Sequence, residues 1–174
     1  MIPSEMNEIE LVELPAHNIF EELGYQTLEG TDVTSERQSY SDVILTTRLE
    51  RKIRELNPDL PEIVYETTIN QVKSLSNPST IQNNQEFHQM LLAGVKVPYQ
   101  SEGQTKYYAV RLVDFENPQN NDFAAVRQLI VLQHKQKRLD HVLFVNGLPL
   151  VILEYKDPTN PSADIVAAHK QLGI

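Results

Sequence analysis

The sequence predicts an α/β protein, and three observations carry that prediction. Apolar residues recur at helical spacing through most of the first half of the 174-residue chain. The second half consists of short, β-rich runs, two of them joined by Asn146-Gly147, the strongest hairpin signal present. A helical pattern then returns. Helices before and after a central sheet make one domain over residues 1–174, with no internal linker, repeat or low-complexity segment.

The first eight or so residues read as a tail. Val12, Ala16, Ile19, Phe20 and Leu23 share one helical face; Pro15 fits only a first turn, so this helix starts near Leu14, and Gly24 stops it. A second helix is expected from about Ser41 to Leu56, with Leu45, Leu49, Ile53 and Leu56 inward and Pro58 past its end. A third runs from Pro61 to about Leu75, and a fourth from about Asn83 to Ala93, closed by Gly94. VKVPYQ and KYYAVRLVDF carry the alternation of half-buried strands, with Ser101-Glu102-Gly103 as their turn. VRQLIVLQH, residues 126–134, is a further strand, while Tyr107-Tyr108 reads as strand packing. HVLFV and LPLVILEY, nearly all apolar, match strands covered on both faces. Ser162 to Leu172 reads as the last helix, and the chain stops in or just after it, as an excised piece of something longer would.

Composition excludes several classes. A net charge of −9 argues against a protein that coats nucleic acid through a general basic excess, and is compatible with an acidic metal site. There is no cysteine, hence no disulfide framework and no thiolate chemistry. No apolar run approaches the roughly 18 residues of a membrane span, and the acidic, polar N-terminus is no signal peptide. The expected location is the cytoplasm.

The chemistry concentrates in DHVLFVNGLPLVILEYKDP, residues 140–158. Glu154 and Lys156, two apart on an expected strand, share a face. Asp140 begins the partner strand. A two-residue loop would set Asp140 opposite Leu153; a three-residue loop, or an equivalent bulge, would set it opposite Glu154, roughly 5 Å away at Cβ. The second register is expected, because the first leaves an aspartate beside an apolar layer. Two carboxylates that close repel unless a cation lies between them. Mg²⁺ suits the pair, and Lys156 is placed to stabilise charge developing at phosphorus. These parts suit metal-assisted phosphodiester hydrolysis. A bare Glu-x-Lys is more often a solvated ion pair.

Asn121-Asp122-Phe123, Arg138-Leu139-Asp140, LFVNGLPLVILEYK, Asn160-Pro161 and Gln171 resemble the N-terminal nuclease domain of the type I restriction enzyme R subunit, within the PD-(D/E)xK nuclease superfamily. The likeness is close over about residues 121–171 and looser upstream. It implies a restriction-endonuclease-like core, a mixed sheet flanked by helices. It implies Asp140 and Glu154 as Mg²⁺ ligands and Lys156 as the third catalytic residue. Val12-Glu13-Leu14-Pro15 resembles the family's Val-Glu-x-Pro element, which makes Glu13 a fourth candidate; an exposed acid favoured by the helix dipole is the alternative. Gln171 matches the glutamine of the family's Gln-x-x-x-Tyr, whose tyrosine would fall at position 175. The resemblance further implies that a full-length protein continues into helicase domains that use ATP to translocate double-stranded DNA, and that it works with methyltransferase and specificity subunits. This chain carries no phosphate-loop motif of its own.

Lys135, Lys137 and Arg138 abut the candidate site and are candidates for DNA contact, with Arg138 alternatively orienting Asp140. Arg48, Arg51, Lys52 and Arg54 are interleaved with Glu50 and Glu55 and read as a solvated face. His17, His88, His134, His141 and His169 show no zinc spacing, and His141 is expected to point away from the Asp140 face. The leading reading is an Mg²⁺-dependent endonuclease. The alternatives are a catalytically silent docking module of the same assembly and another PD-(D/E)xK nuclease of repair or recombination.

Overall fold

A computed structural model describes residues 9–75, 78–101, 103–132 and 135–156. The element order is α1 (Leu14–Glu22), β1 (Gln26–Glu29), α2 (Thr46–Leu56), α3 (Glu62–Lys73), α4 (Thr80–Ala93), β2 (Val95–Ser101), β3 (Gln104–Val110), β4 (Phe123–Leu132), β5 (Gln136–Val145) and β6 (Leu148–Leu153). The fold is α/β, as predicted. One sheet has four strands in the order β1-β4-β5-β6, and β2 and β3 form a separate two-stranded ribbon. β1 runs parallel to β4 while a tight hairpin joins β5 to β6, so the larger sheet is mixed. The expected final helix and Gln171 lie outside the described residues.

The chain divides into two compact units. The first comprises residues 1–43, 123–144 and 149–174; the second comprises 44–122 and 145–148.

The first unit holds most of the four-stranded sheet. Ala124, Ala125, Val126, Leu129, Val131, Val142 and Phe144 are buried, so the two inner strands supply its core. β1 is a strand that the sequence reading missed. It pairs Gln26 with Ala124 through Glu29 with Arg127. α1 begins where Pro15 allows, but Ile19 and Leu23 on its supposed inner face are exposed. β6 is the last strand in the sheet order, and Leu150, Val151 and Ile152 are exposed, not covered on both faces.

The second unit packs α2 and α3 on the β2–β3 ribbon around Leu49, Ile53, Val64, Tyr65, Val72, Val95, Val97, Val110 and Leu112. α2 starts five residues later than expected. The Leu45 N–H is taken by the Gly147 carbonyl at 2.9 Å, so Leu45 becomes the residue before the helix and its own carbonyl accepts from Leu49. Asn57 ends α2 by bonding both backbone groups of Arg111, each at 2.8 Å, as a neighbouring strand would. The Tyr65 hydroxyl donates to the Asn57 carbonyl and accepts from the Leu60 N–H, which fixes the α2–α3 turn. α4 starts earlier than expected because the Ser79 hydroxyl accepts from the Gln82 N–H.

The Asn146-Gly147 turn is where the sequence reading erred on loop length. Both residues have positive φ, 54° and 82°, and strand structure resumes at Leu148. This is the two-residue, mirror-image turn that Asn-Gly favours, not the expected three-residue loop. Its side of the chain is crowded. A Cβ on Gly147 would lie 2.6 Å from the Leu45 carbonyl oxygen. Asn146 is buried, accepts from the Asp122 N–H and donates to the Leu112 carbonyl and Asn121 Oδ1, all at 2.8 Å.

Candidate active site

The candidate catalytic residues all belong to the first unit. Asp140 lies midway along β5 and is 7% exposed. Glu154 and Lys156 follow β6, which ends at Leu153 and not at Tyr155 as expected. The reason is local: the Tyr155 N–H, which a longer strand would give to a ladder carbonyl, donates instead to Asp140 Oδ2 at 2.8 Å. This bond, and not a three-residue loop, brings Asp140 to the Glu154–Lys156 segment. Lys156 Nζ lies 3.1 Å from Glu154 Oε1, and the Glu154 side chain is 3% exposed.

Glu13 closes a single turn of π-helix, Ile9–Glu13, that leads into α1. Such turns are rare and often mark functional positions. Glu13 is 2% exposed, so the alternative of an exposed acid at a helix start does not hold. Gln128 Nε2 donates to Glu13 Oε2 at 2.6 Å, and Arg127 Nη1 lies 3.8 Å from the same oxygen. Arg127 also holds Glu29 Oε1 at 2.8 Å. Neither Arg127 nor Gln128 was singled out from the sequence.

The Tyr155 side chain follows the backbone N–H that Asp140 holds. Burial first, then the negative charges of Asp140 and Glu13, push its pKa up to about 12. Among the described residues, its hydroxyl is buried without a hydrogen-bond partner, and so is His141 Nδ1. The two rings meet edge to face at 5.5 Å. His141 is fully buried next in sequence to Asp140, and its Nε2 lies 3.1 Å from His17 Nδ1. Burial, then the neighbouring His17 and Arg127, lowers the His141 pKa to about 4.

Lys135, Lys137 and Arg138 are exposed where the chain enters β5, upstream of Asp140. The basic residues of α2 are engaged elsewhere. Arg48 is buried, not on a solvated face, and its Nη1 holds Asp122 Oδ1 at 2.9 Å. Arg51 and Lys52 pair with Glu55, and Arg54 pairs with Glu50 and Glu62.

Asp140 and Glu154 offer only oxygen donors, which suits a hard divalent cation and not a soft metal. Among the described residues, no three His, Asp or Glu side chains stand close enough to hold an ion as they are. Two carboxylates and solvent are enough for Mg²⁺.

Residues 5–173 match the family model for the type I restriction enzyme R protein N terminus. The chain belongs to that family. A relative, the type I restriction enzyme HindI endonuclease subunit of Haemophilus influenzae, is 35% identical over 173 residues, which is 95% of this chain and 16% of the relative. A candidate type I restriction enzyme MjaIXP endonuclease subunit of Methanocaldococcus jannaschii is 34% identical over 162 residues, 89% of this chain and 16% of the relative. This R-protein N-terminal chain therefore spans about a sixth of the curated relatives it matches. No helix among its described residues is long and apolar enough to cross a membrane.

Proposed function

We propose that this chain is the Mg²⁺-dependent endonuclease module of a type I restriction enzyme R subunit, hydrolysing phosphodiester bonds of double-stranded DNA. The observation that carries the reading is the meeting of Asp140 with the Glu154–Lys156 segment through the Asp140–Tyr155 bond. Asp140 and Glu154 would hold the ion, which when bound supplies an activated water and a Lewis acid at the phosphate. Lys156 carries the positive charge that offsets charge building on the phosphate oxygens. Glu13 is proposed as a further catalytic carboxylate. The exposed Lys137 and Arg138 are suited to backbone phosphates, contacts that need no base reading. Gln171 is proposed to assist on the DNA side. The full-length protein would couple cleavage to ATP-dependent translocation and work with methyltransferase and specificity subunits in the cytoplasm. The names of its relatives support this assembly-level reading.

The competing reading is a silent docking module, and one observation favours it. Lys156 sits on Glu154, which leaves the pair self-neutralised. Plasmid cleavage by the assembled full-length enzyme separates the two. Asp140→Ala and Lys156→Ala should each reduce cleavage by roughly a hundredfold or more, with ATP hydrolysis retained. Cleavage unchanged in both variants would sink the endonuclease reading and leave the dock.

A further inference from the structure

Arg37 follows a short 3₁₀ turn, Thr34–Glu36, in the first unit and is only 7% exposed. Its Nη1 donates to the Ile130 carbonyl at 2.9 Å and to the Asp42 carbonyl at 3.3 Å, which ties this loop to β4. The Leu132 N–H donates to the Tyr40 carbonyl at 2.8 Å and holds the same loop a second time. This structural duty uses one nitrogen, which a lysine also has. What arginine adds is Nε and Nη2, and both are buried without a hydrogen-bond partner among the described residues. These two donors lie on one edge of the guanidinium plane and form the fork that grips two oxygens of a carboxylate or a phosphate.

A buried cation without a counter-charge is costly. Burial lowers the Arg37 pKa, and the charges of Tyr40 and Asp42 only partly oppose this. The Tyr40 ring lies over the guanidinium, its centroid 5.4 Å from Cζ, and Tyr40 is 47% exposed, so the fork sits close beneath the surface. Ser39, Tyr40 and Ser41 form an exposed, hydroxyl-bearing stretch beside it. Ser39 Oγ accepts the Ser41 N–H at 3.2 Å and keeps its own proton to donate. Once the fork holds two oxygens, a phosphate has others left for hydroxyls, and a carboxylate has none. We propose that Arg37 is the centre of a phosphate-binding site, with its Nε and Nη2 donating to two phosphate oxygens and the Ser39–Ser41 loop closing over the group.

The test follows the Arg37 Nε–H resonance by NMR in the metal-free 174-residue chain, as potassium phosphate replaces potassium chloride at constant ionic strength. The signal should move and saturate. Arg37→Lys keeps the charge and loses the fork, and its phosphate dissociation constant, read from the amides of residues 38–41, should rise about tenfold or more. An Arg37 signal that phosphate leaves unmoved overturns the proposal and gives the fork to a buried water. Arg37→Lys that binds phosphate like wild type overturns it too, because charge alone then suffices. If Arg37→Lys does not fold, the wild-type titration decides alone. A short DNA duplex identifies the source of the phosphate. A duplex that moves the same signal and competes with phosphate makes the site a contact for the DNA backbone; one that does neither leaves it a site for free phosphate.

Discussion

On α2, Arg48, Arg51, Lys52 and Arg54 meet Asp122, Glu55, Glu50 and Glu62, so cations and carboxylates are matched nearly one for one. In the first unit, the Glu13, Asp140 and Glu154 side chains are buried, with Lys156 beside Glu154 and Arg127 reaching both Glu13 and Glu29. The first arrangement has the form of a scaffold. Its charges are paired, mostly wet, and close to neutral as a group. The second concentrates negative charge where water is scarce, which costs folding energy and is worth keeping only if the charge is used. Both regions are rich in ionisable groups, and the sequence shows their richness equally well. Burial tells them apart.

The contrast predicts different consequences for similar substitutions. The largest effect should come from the buried carboxylates of the first unit. Glu154→Gln should cut DNA cleavage by the full-length enzyme by about a thousandfold, while circular dichroism and melting temperature stay near wild type or improve. A variant that unfolds instead would place Glu154 among the structural ion pairs.

Next is acid sensitivity. His141 has a folded pKa lowered from 6.5 to about 4, so the unfolded chain binds its proton more readily than the folded one. The stability this contributes is complete above about pH 6.5 and is lost as pH falls toward 4, with a total of about 3 kcal/mol. Urea titrations of the metal-free protein at pH 7 and pH 4.5, on wild type and His141→Gln, read the difference. An equal slope against pH in the two proteins would remove His141 from the account.

A smaller loss is expected on the scaffold side. Arg48→Ala deletes a buried partner of Asp122 and should cost about 2 kcal/mol of unfolding free energy. The smallest is Arg51→Ala, about 0.5 kcal/mol and falling further in 1 M salt, because that side chain is half exposed. A chemical-denaturation series checks the pair, and reversed magnitudes would break the scaffold reading of α2.

How much of this was legible beforehand depended on how local the cause was. α3 and the closing Gly94 of α4 follow from spacing and capping signals that lie within a few residues of where they act. Asp140, Glu154 and Lys156 were identified through the FVNGLPL core and their offsets. The loop length was misjudged because a preference for pairing two acids was weighed against the turn chemistry of Asn-Gly, and turn chemistry prevailed. β6 stops early for a reason spacing cannot show: a carboxylate fourteen positions before Glu154 captures the next backbone N–H. β1, four residues with little β-branched content, becomes a strand because β4 lies beside it. Gln128, inside β4, has a φ of +55°, and this kink did leave a trace. Around it the chain reads Ala124-Ala125-Val126, then Arg127-Gln128, then Leu129-Ile130-Val131-Leu132, two polar residues together inside apolar runs. Such a pair interrupts strict alternation, and a strand interrupted that way is a candidate for a bulge.

The Asn146-Gly147 turn has a bearing on how the chain can be rebuilt. Tight turns between strands are usually where tags, split points and new termini are tolerated. Here the asparagine side chain and both backbone polar groups joined to the turn are spent on Asp122, Asn121, Leu112 and Leu45. A reporter inserted at 146–147 would have to break that whole set at once. The Gly103 end of the β2–β3 ribbon has open space around its Cα position. It is the more suitable place to open the chain.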